Sequence, residues 1–387
     1  MSTHPPLVEP GPGLSREEIE RYTRHLTLPQ VGTEGQRRLK HARVLVIGAG
    51  GLGSPALQYL AAAGVGTIGV VDDDVVDVSN IQRQVVHGTE DVGRPKVDSA
   101  AAAVARTNPF VTVRTHRVRL GADNAVDLVS GYDLVLDGAD NFASRYVASD
   151  ACVLAGVPCV WGSILRFDGM VSVFWAGHGP TYRDLHPEPP APGEVPSCAE
   201  GGVLGVLPGL IGSVMATEAI KLITGVGEPL IGRVLVHDAL AMTWRELGLV
   251  ADAARPPVRE VAVPTETACA ADAGAPAGHE IVTAGELAEL LERRERGTAS
   301  FCLVDVREDW ERELAMIPGA VPAALDDLLA RGAEALPDEA RGRDVVVHCA
   351  SGGRSARVLA ALRPHFAGRE ERVRHLEGGV TAWYRDR

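Results

Sequence analysis

Residues 44–53 read Val-Leu-Val-Ile-Gly-Ala-Gly-Gly-Leu-Gly, and this stretch decides the fold of the first part of the chain. Its four leading apolar residues predict a buried strand, and the glycines that follow have the spacing Gly-x-Gly-x-x-Gly. Ala-rich helical sequence comes next, and residues 67–72 (Thr-Ile-Gly-Val-Val-Asp) predict a second strand that ends in an acid. A strand, a glycine turn, a helix and a strand in this order indicate a βαβ unit.

The glycine turn is typical of nucleotide binding. Because Gly48, Gly50, Gly51 and Gly53 lack side chains, the backbone can turn tightly and approach a phosphate, to which the following helix N-terminus offers its amides. Asp72 lies nineteen residues after Gly53, where it can accept hydrogen bonds from a ribose. The pattern alone leaves open whether the nucleotide is NAD or ATP.

The remaining pattern up to residue 262 predicts one Rossmann-like, doubly wound α/β domain over residues 14–262. A capping box at residues 15–18 predicts a helix that starts near residue 16. Further strands are predicted at 111–120, 134–137, 157–161, 171–175 and 234–237, and helices at 96–108, 142–155 and 205–224. The alternating Arg114, Arg117 and Arg119 indicate an exposed strand face.

A second α/β pattern follows a linker. Residues 263–279 are small, rich in Ala, Pro and Gly, and without periodicity, as an exposed linker should be. Residues 280–387 alternate helical and strand-like runs, and this length suffices for a small independent domain. The chain is therefore expected to hold a larger α/β domain, a linker and a small α/β domain.

Composition excludes several classes of function. The 387 residues carry a formal net charge of −13, which argues against a broad nucleic-acid-binding surface. The longest apolar stretch, residues 203–223, is broken by Pro208 and contains Glu218 and Lys221, so we expect no membrane span. The N-terminal residues lack the features of a secretory signal, and a cytoplasmic location is expected. The six cysteines include no Cys-x-x-Cys pair, which argues against a disulfide framework.

Motifs after the βαβ unit distinguish between the two nucleotides. Residues 72–74 (Asp-Asp-Asp) lead into 79–84 (Ser-Asn-Ile-Gln-Arg-Gln), then 93–96 (Gly-Arg-Pro-Lys) and 137–141 (Asp-Gly-Ala-Asp-Asn). Together with Arg24 and the glycine loop, they make the chain from about residue 14 to 250 resemble the MoeB and ThiF family of E1-like adenylyltransferases. The resemblance implies ATP as the nucleotide.

Phosphate chemistry accounts for the charged residues in these motifs. A triphosphate carries about four negative charges, which Arg83, Lys96 and Mg²⁺ can neutralise, and Asp140 is the carboxylate expected to hold the metal. Lys96 is one of three lysines beside 35 arginines, so a chance surface lysine is a poorer explanation. The expected nucleotide-binding residues are Gly48, Gly50, Gly51, Gly53, Asp72, Asp74, Ser79, Asn80, Gln82, Arg83, Lys96, Asp140 and Asn141.

Two further expectations come from the resemblance alone. In the family, the counterpart of Arg24 reaches into the site of a partner subunit, which implies a homodimer with two composite sites; the pattern alone would make Arg24 a solvated helix charge. Many members hold a structural zinc with two Cys-x-x-Cys pairs, whereas residues 181–184 here read Thr-Tyr-Arg-Asp and residues 255–261 contain no cysteine. We therefore predict no zinc, and we expect packing that involves residues 187–196 to replace it.

The C-terminal domain resembles a single rhodanese domain. The motifs that carry the resemblance are 303–308 (Leu-Val-Asp-Val-Arg-Glu), 317–320 (Ile-Pro-Gly-Ala), 348–355 (His-Cys-Ala-Ser-Gly-Gly-Arg-Ser) and 376–379 (Leu-Glu-Gly-Gly). Cys349 ends a predicted strand and begins a short loop that opens a helix, so loop amides, the helix dipole and Arg354 would stabilise a thiolate and an anionic persulfide. A cysteine phosphatase is the alternative interpretation of this loop. Such enzymes need Cys-x5-Arg to surround a phosphate, whereas the spacing here is Cys-x4-Arg, and the smaller loop suits a terminal sulfur.

The combined resemblance implies a two-step reaction. The first domain would adenylate the C-terminal Gly-Gly carboxylate of a small ubiquitin-like sulfur carrier of the MoaD, ThiS or CysO type, and a Cys349 persulfide would then supply sulfur to give a thiocarboxylate. Thiosulfate or a cysteine desulfurase would load Cys349, and Cys198 is expected in a loop over the adenylation site as a second thiol. The alternatives are an NAD-dependent oxidoreductase fused to a sulfur-handling domain and a non-catalytic binding module that recruits the carrier.

Overall fold

The computed structural model describes residues 4–189, 202–262 and 278–385, which fall in two compact units. The helices of the first unit are α1 (Arg16–Leu26), α2 (Gly32–His41), α3 (Gly53–Ala63), α4 (Lys96–Thr107), α5 (Ala125–Ser130), α6 (Phe142–Ala155), α7 (Tyr182–Leu185) and α8 (Leu207–Thr224). Its strands are β1 (Arg43–Ile47), β2 (Thr67–Val71), β3 (Thr112–His116), β4 (Leu134–Asp137), β5 (Cys159–Leu165), β6 (Asp168–Phe174), β7 (Arg233–Asp238) and β8 (Thr243–Gly248).

The first unit is built on an eight-stranded sheet in the order β3-β2-β1-β4-β5-β6-β7-β8. The first five strands in this order, β3, β2, β1, β4 and β5, are parallel. Strands β6, β7 and β8 continue the sheet after β5, each antiparallel to the strand before it. The chain leaves β1 on one side toward β2 and returns on the other side as β4, so the point where the strand order reverses lies between β1 and β4. In open α/β sheets, ligands bind outside the carboxyl ends of the strands at this point.

Both faces of the parallel part are covered by helices, as a doubly wound sheet requires. One core cluster includes Leu57 and Leu60 of α3 with Ile211 and Met215 of α8, and a second cluster on the other face includes Val147 and Ala151 of α6. Helix α8 and α3 approach closely, because a Cβ at position 212 would lie 2.5 Å from the carbonyl oxygen of Leu52. Gly212 is therefore required by packing.

Helix α8 also bears on the membrane expectation. Among the described residues it is the helix long and apolar enough to cross a membrane by length and composition, and 61% of it is buried inside the protein. It serves as the central core helix of the first unit.

Several predicted elements differ in extent. The strand expected at 111–120 ends at His116, so Arg117 and Arg119 do not lie on an exposed strand face, and the strand expected at 157–161 runs on to Leu165. The capping box that predicts α1 is present: the Ser15 hydroxyl accepts from the Glu18 amide, and the Glu18 carboxylate accepts from the Ser15 amide.

The second unit has a five-stranded parallel sheet in the order β11-β10-β12-β13-β9. Its strands are β9 (Ile281–Val282), β10 (Phe301–Asp305), β11 (Ala320–Pro322), β12 (Asp344–His348) and β13 (Val373–Leu376). Its helices are α9 (Ala284–Glu295), α10 (Asp309–Leu314), α11 (Leu325–Arg331), α12 (Gly353–Phe366) and α13 (Gly379–Arg385). Core clusters lie on both faces of this sheet, one of which contains Cys302 and Cys349.

Candidate functional site

The first unit has a cavity of about 340 Å³ at the carboxyl ends of β1, β2 and β4. The predicted nucleotide-binding residues that line it are Gly48, Gly50, Gly51, Asp72, Asp74, Arg83, Lys96, Asp140 and Asn141. Sequence elements that lie up to about ninety residues apart thus meet at the reversal point of the sheet, where a nucleotide is expected.

The glycine loop forms the floor of this cavity. Gly48 has a φ of +87°, and a Cβ there would lie 3.2 Å from the carbonyl oxygen of Gly138. A Cβ on Gly53 would lie 1.9 Å from the carbonyl oxygen of Gly48, and Gly53 does not line the cavity. The first glycine therefore permits the turn, and the last one packs α3 against the loop.

Asp72 connects the glycine loop to the opposite wall. Its carboxylate accepts hydrogen bonds from the amides of Ala49 (2.9 Å) and Asp74 (2.9 Å). Burial raises the pKa of Asp72, while the nearby Lys96 charge and these two amides act in the opposite direction. Asp72 both fixes the loop and faces the cavity, as expected of a ribose-binding acid.

Lys96 begins α4 and is 7% exposed. Its Nζ lies 2.7 Å from Oδ2 of Asp74, whose side chain is 67% exposed. The cavity wall therefore presents a cation on a rigid helix terminus, held by a carboxylate that is itself solvated.

The Ser-Asn-Ile-Gln-Arg-Gln motif has a different role from the one expected for some of its members. Asp77 caps a short 3₁₀ turn by accepting from the amide and hydroxyl of Ser79 at 2.8 and 2.6 Å, and its own amide donates to Oδ1 of Asn80. Arg83 donates to the carbonyl oxygen of Ser79 at 2.9 Å and lines the cavity. Ser79, Asn80 and Gln82 do not line it. The carbonyl oxygens of Ser79 and Asn80 accept from the side chain and the amide of Arg83 and so support it.

Asp140 and Asn141 lie where β4 leads into α6. The side chain of Asn141 caps α6 by accepting from the amide of Ser144 (2.9 Å), and its amide donates to Asp140 at 3.4 Å. Asp140 is exposed at the cavity and is free of ion pairs in the described ranges, so it suits a hard cation. Among the described residues, the group of three carboxylates near enough to one another to hold a metal ion is instead that of residues 72–74, whose ligand atoms lie within 4.8 Å of one another.

The lining residues that the sequence reasoning missed include Gln84, Arg119 and Arg145. Gln84 is 5% exposed, and its Oε1 has no hydrogen-bond partner among the described residues. Arg145 is 6% exposed and donates to the carbonyl oxygen of Ala139, and Arg119 borders the same cavity. The signal for Gln84 was its place in the quoted motif, while Arg119 was assigned to a strand that ends three residues before it.

The resemblance alone assigned roles to Arg24 and Cys198. Arg24 is exposed on α1 and does not line this cavity. Cys198 lies outside the described residues. A role for either residue remains a prediction.

The two segments that would hold zinc in relatives are joined here by Asp184. Its Oδ2 accepts from the amide and hydroxyl of Thr181 at 2.7 and 2.9 Å, and its Oδ1 accepts from the amide of Asp252 (3.0 Å) and from Nε of Arg255 (3.3 Å). In the described part of the chain a hydrogen-bonded ion pair thus links the two segments. The packing predicted to involve residues 187–196 stays a prediction, because 190–196 lie outside the described residues.

The second unit places Cys349 at the carboxyl end of β12, directly before the loop that opens α12. Its Sγ accepts from the amide of Gly352 at 3.1 Å, and Gly352 has a φ of +101°. A Cβ on Gly379 would lie 2.3 Å from the carbonyl oxygen of Cys349, which accepts from the amide of Val380. The two glycines let α12 and α13 begin around the loop, so the backbone amide of Gly352 reaches the sulfur.

Arg354 forms a two-pronged ion pair with Glu311 of α10. Its Nη1 and Nη2 lie 2.7 and 2.6 Å from the two carboxylate oxygens. Burial raises the pKa of Glu311, but the hydrogen bonds from Arg354 and from the Glu308 amide, together with the charges of Arg354 and Arg307, outweigh burial and hold that pKa below its usual range. Arg354 would therefore have to stabilise the predicted thiolate or persulfide while its positive charge also balances the Glu311 carboxylate.

A buried ion pair lies below the cysteine loop. Nη2 of Arg307 is 2.7 Å from Oδ2 of Asp305, and Arg307 also donates to the carbonyl oxygens of Glu311 and Ala315. His348 has its Nε2 3.7 Å from the same carboxylate, and burial lowers its pKa to about 4. The Asp-Val-Arg motif thus has a structural function: it fixes α10 and hence Glu311.

The fold and the two sites define the class of the protein: a doubly wound α/β domain with a glycine-floored cavity at the reversal point of its sheet, and a small α/β domain with a cysteine whose Sγ accepts from a loop amide. The chain belongs to the ThiF family, whose model matches residues 22–256, and residues 283–386 match the rhodanese-like domain. Both parts of the resemblance stated above are confirmed.

Among known proteins, some resemble the chain over nearly its full length and others over its larger part only. It is 53% identical over 391 residues to the "Probable adenylyltransferase/sulfurtransferase MoeZ" of Mycobacterium tuberculosis, covering 99% of this chain and 97% of that protein. It is 54% identical over 238 residues to the "Sulfur carrier protein adenylyltransferase" of Thermus thermophilus, covering 60% of this chain and 88% of that protein. The crystal structure of E. coli MccB with MccA-N7isoASN matches with a TM-score of 0.55 and 19% identity over 62% of this chain and 74% of that chain, which confirms the fold of the first unit.

Proposed function

We propose that this protein is a bifunctional enzyme, an adenylyltransferase and sulfurtransferase. It adenylates the C-terminal Gly-Gly carboxylate of a small ubiquitin-like sulfur carrier with ATP and then converts the acyl group to a thiocarboxylate with sulfur from Cys349. The observation that carries the proposal is the presence of both sites in one chain: a glycine-floored cavity with Arg83 and Lys96, and a cysteine whose Sγ accepts a loop amide.

The first reaction makes an unreactive carboxylate reactive. Hydroxide is a poor leaving group, so a carboxylate resists nucleophiles. Its attack on the α-phosphorus of ATP forms the acyl-adenylate, breaks the bond to the bridging oxygen and releases pyrophosphate. AMP then becomes the leaving group of the next step.

The lining residues are suited to this first reaction. The glycine loop lets the backbone approach the phosphates, Asp72 is placed for the ribose, and Lys96 and Arg83 offer positive charge to the phosphate oxygens. The buried Oε1 of Gln84, which has no hydrogen-bond partner among the described residues, supports a polar ligand in this cavity, and the buried guanidinium of Arg145 adds positive charge to its lining. Asp140 is our proposed ligand for Mg²⁺, which would supply neutralisation of phosphate charge.

The second reaction uses the sulfur of Cys349. The terminal sulfur of its persulfide attacks the acyl carbon, an acyl–persulfide bond forms, and AMP leaves with the electron pair of the broken bond. A second thiol, Cys198 or an external one, then attacks the Cys349 sulfur; a disulfide forms and the carrier leaves as the thiocarboxylate. Joining both domains in one chain raises the local concentration of persulfide near the adenylate.

The remaining assignments belong to the same proposal. We place the adenylation domain at residues 14–262, the linker at 263–279 and the rhodanese domain at 280–387. We propose a homodimer in which Arg24, exposed on α1 and absent from the cavity of its own chain, reaches the partner's site. Thiosulfate or a cysteine desulfurase is the proposed sulfur donor, and MoaD-, ThiS- and CysO-type proteins are the proposed carriers.

Exchange of labelled pyrophosphate into ATP tests the first half of the proposal. We expect exchange that depends on a Gly-Gly-ended carrier and on Mg²⁺, because only a reversible acyl-adenylate links pyrophosphate to ATP. The same carrier without its last two glycines is the control and should give none. Carrier-independent exchange, or none with any carrier together with reduction of NAD, would contradict the proposal and favour the oxidoreductase alternative.

A further inference from the structure

Two buried polar side chains beside Cys349 have no part in the sulfur transfer described above. Ser355 lies in the first turn of α12 and is 0% exposed. His375 lies in β13 and is 6% exposed. Both belong to the second unit, and β12 and β13 are neighbours in its sheet.

The two side chains form a chain of contacts that starts at the cysteine. Sγ of Cys349 lies 3.6 Å from Oγ of Ser355, with the thiol as donor. Oγ of Ser355 lies 3.0 Å from the carbonyl oxygen of Gly352 and 3.4 Å from Nδ1 of His375. The Ser355 hydroxyl accepts from the thiol and donates its single hydrogen to the carbonyl oxygen of Gly352. Rotation about the Cβ–Oγ bond turns that hydrogen to Nδ1 of His375, which is the arrangement that a proton relay requires.

The surroundings of His375 leave its imidazole ready to accept a proton. Burial lowers the pKa of His375, which keeps the ring neutral near pH 7, while the carboxylate of Glu377 favours the protonated form. The other charged groups that face it are Glu280, before β9, and Arg363, on α12. Their charges largely offset each other, because they form an ion pair with Nε–Oε1 and Nη2–Oε2 distances of 2.9 and 2.7 Å. Cys349, which directly follows β12, is linked to His375 through the Ser355 hydroxyl.

We propose that His375 is a positioning residue that receives the thiol proton of Cys349 through Ser355 when sulfur is loaded, an inference that rests on the proposed function. The S–H proton moves to Oγ of Ser355 as the hydroxyl proton moves to Nδ1 of His375, which leaves a thiolate and an imidazolium. The thiolate attacks the outer sulfur of thiosulfate; an S–S bond forms, and sulfite leaves with the electron pair of the broken bond. In the thiolate state that precedes this attack, the Ser355 hydroxyl and the Gly352 amide both donate to Sγ of Cys349.

Steady-state transfer of sulfur from thiosulfate to cyanide by the full chain tests this relay. His375→Asn keeps a side-chain amide near the position of Nδ1 but cannot take up a proton at neutral pH. We expect kcat to fall at least about tenfold at pH 7 with the KM for thiosulfate within about twofold, and the deficit to shrink as pH rises, because hydroxide then removes the thiol proton. Ser355→Ala should show the same pH-dependent deficit. His365→Asn, at an exposed position on α12, is the matched control and should follow the parent profile.

The outcomes separate this inference from the proposed function. A parent-like pH profile of both variants, or a loss that is uniform at all pH values, would overturn the relay. The pH dependence of Cys349 alkylation, measured by peptide mass spectrometry, should shift upward in both variants, and an unchanged profile would also overturn it. Thermal unfolding of each variant, compared with that of the parent chain, shows whether the second unit is folded. If the parent chain itself releases no sulfite from thiosulfate while Cys349 is free, the proposed sulfur transfer fails instead.

Discussion

Cys349→Ala is expected to abolish sulfur transfer and to leave carrier adenylation intact. The thiol is the atom that carries sulfur, so its removal deletes the nucleophile rather than weakening it, and formation of the thiocarboxylate should fall by at least about 10³-fold. Carrier-dependent pyrophosphate exchange should stay within about twofold, because the cavity and Cys349 belong to different compact units. Both rates are measured on the same preparation, with thiosulfate as the sulfur source.

Cys302→Ala is the matched control for that experiment. Cys302 lies in β10 of the same unit and is 3% exposed, against 1% for Cys349, so both substitutions remove one buried thiol from one core. We expect Cys302→Ala to retain sulfur transfer. Parent-like thiocarboxylate formation by Cys349→Ala would refute the assignment of the nucleophile.

Lys96→Met is expected to lower carrier-dependent pyrophosphate exchange by about 10²–10³-fold, the usual effect of removing one preorganised charged donor from a reacting phosphate or oxyanion. Methionine keeps most of the side-chain volume at this 7% exposed position. The Asp74 carboxylate that loses its partner is largely exposed, so the substitution leaves no buried charge and should not unfold the domain. Transfer of sulfur from thiosulfate to cyanide should be unaffected.

Arg43→Met provides the comparison for Lys96→Met. Arg43 begins β1, at the end of the strand opposite the cavity, and pairs with Asp133 at 2.6 Å. This variant also loses one positive charge and one ion pair from the first unit, but it should keep exchange within about twofold. Equal losses in the two variants would show that Lys96 contributes only general charge or stability.

Much of the fold could be predicted because the decisive signals are local. Two such signals are a buried strand followed by a turn that needs glycine: β1 with Gly48, and β12 with Gly352. Strand β8 was missed because all six of its residues are exposed, so it has no alternating buried face to detect. The short strands β9 and β11 carry too few residues for any period.

The candidate sites were predictable to the extent that the residues of their motifs themselves line the cavity. Lys96, Arg83 and Asp72 line the cavity as their motifs predict. Ser79 instead serves a capped turn, since its role depends on Asp77 rather than on the motif itself. The contact of Ser355 with His375 joins residues twenty positions apart through sheet packing, and no local pattern indicates it.

Intact-mass spectrometry of a Gly-Gly-ended sulfur carrier, after incubation with this protein, Mg·ATP and thiosulfate, tests the central claim most directly. The account predicts a gain of about 16 Da, the replacement of one carboxylate oxygen by sulfur, with AMP and pyrophosphate as by-products. An unchanged carrier mass across MoaD-, ThiS- and CysO-type proteins, with ATP unconsumed, would contradict it.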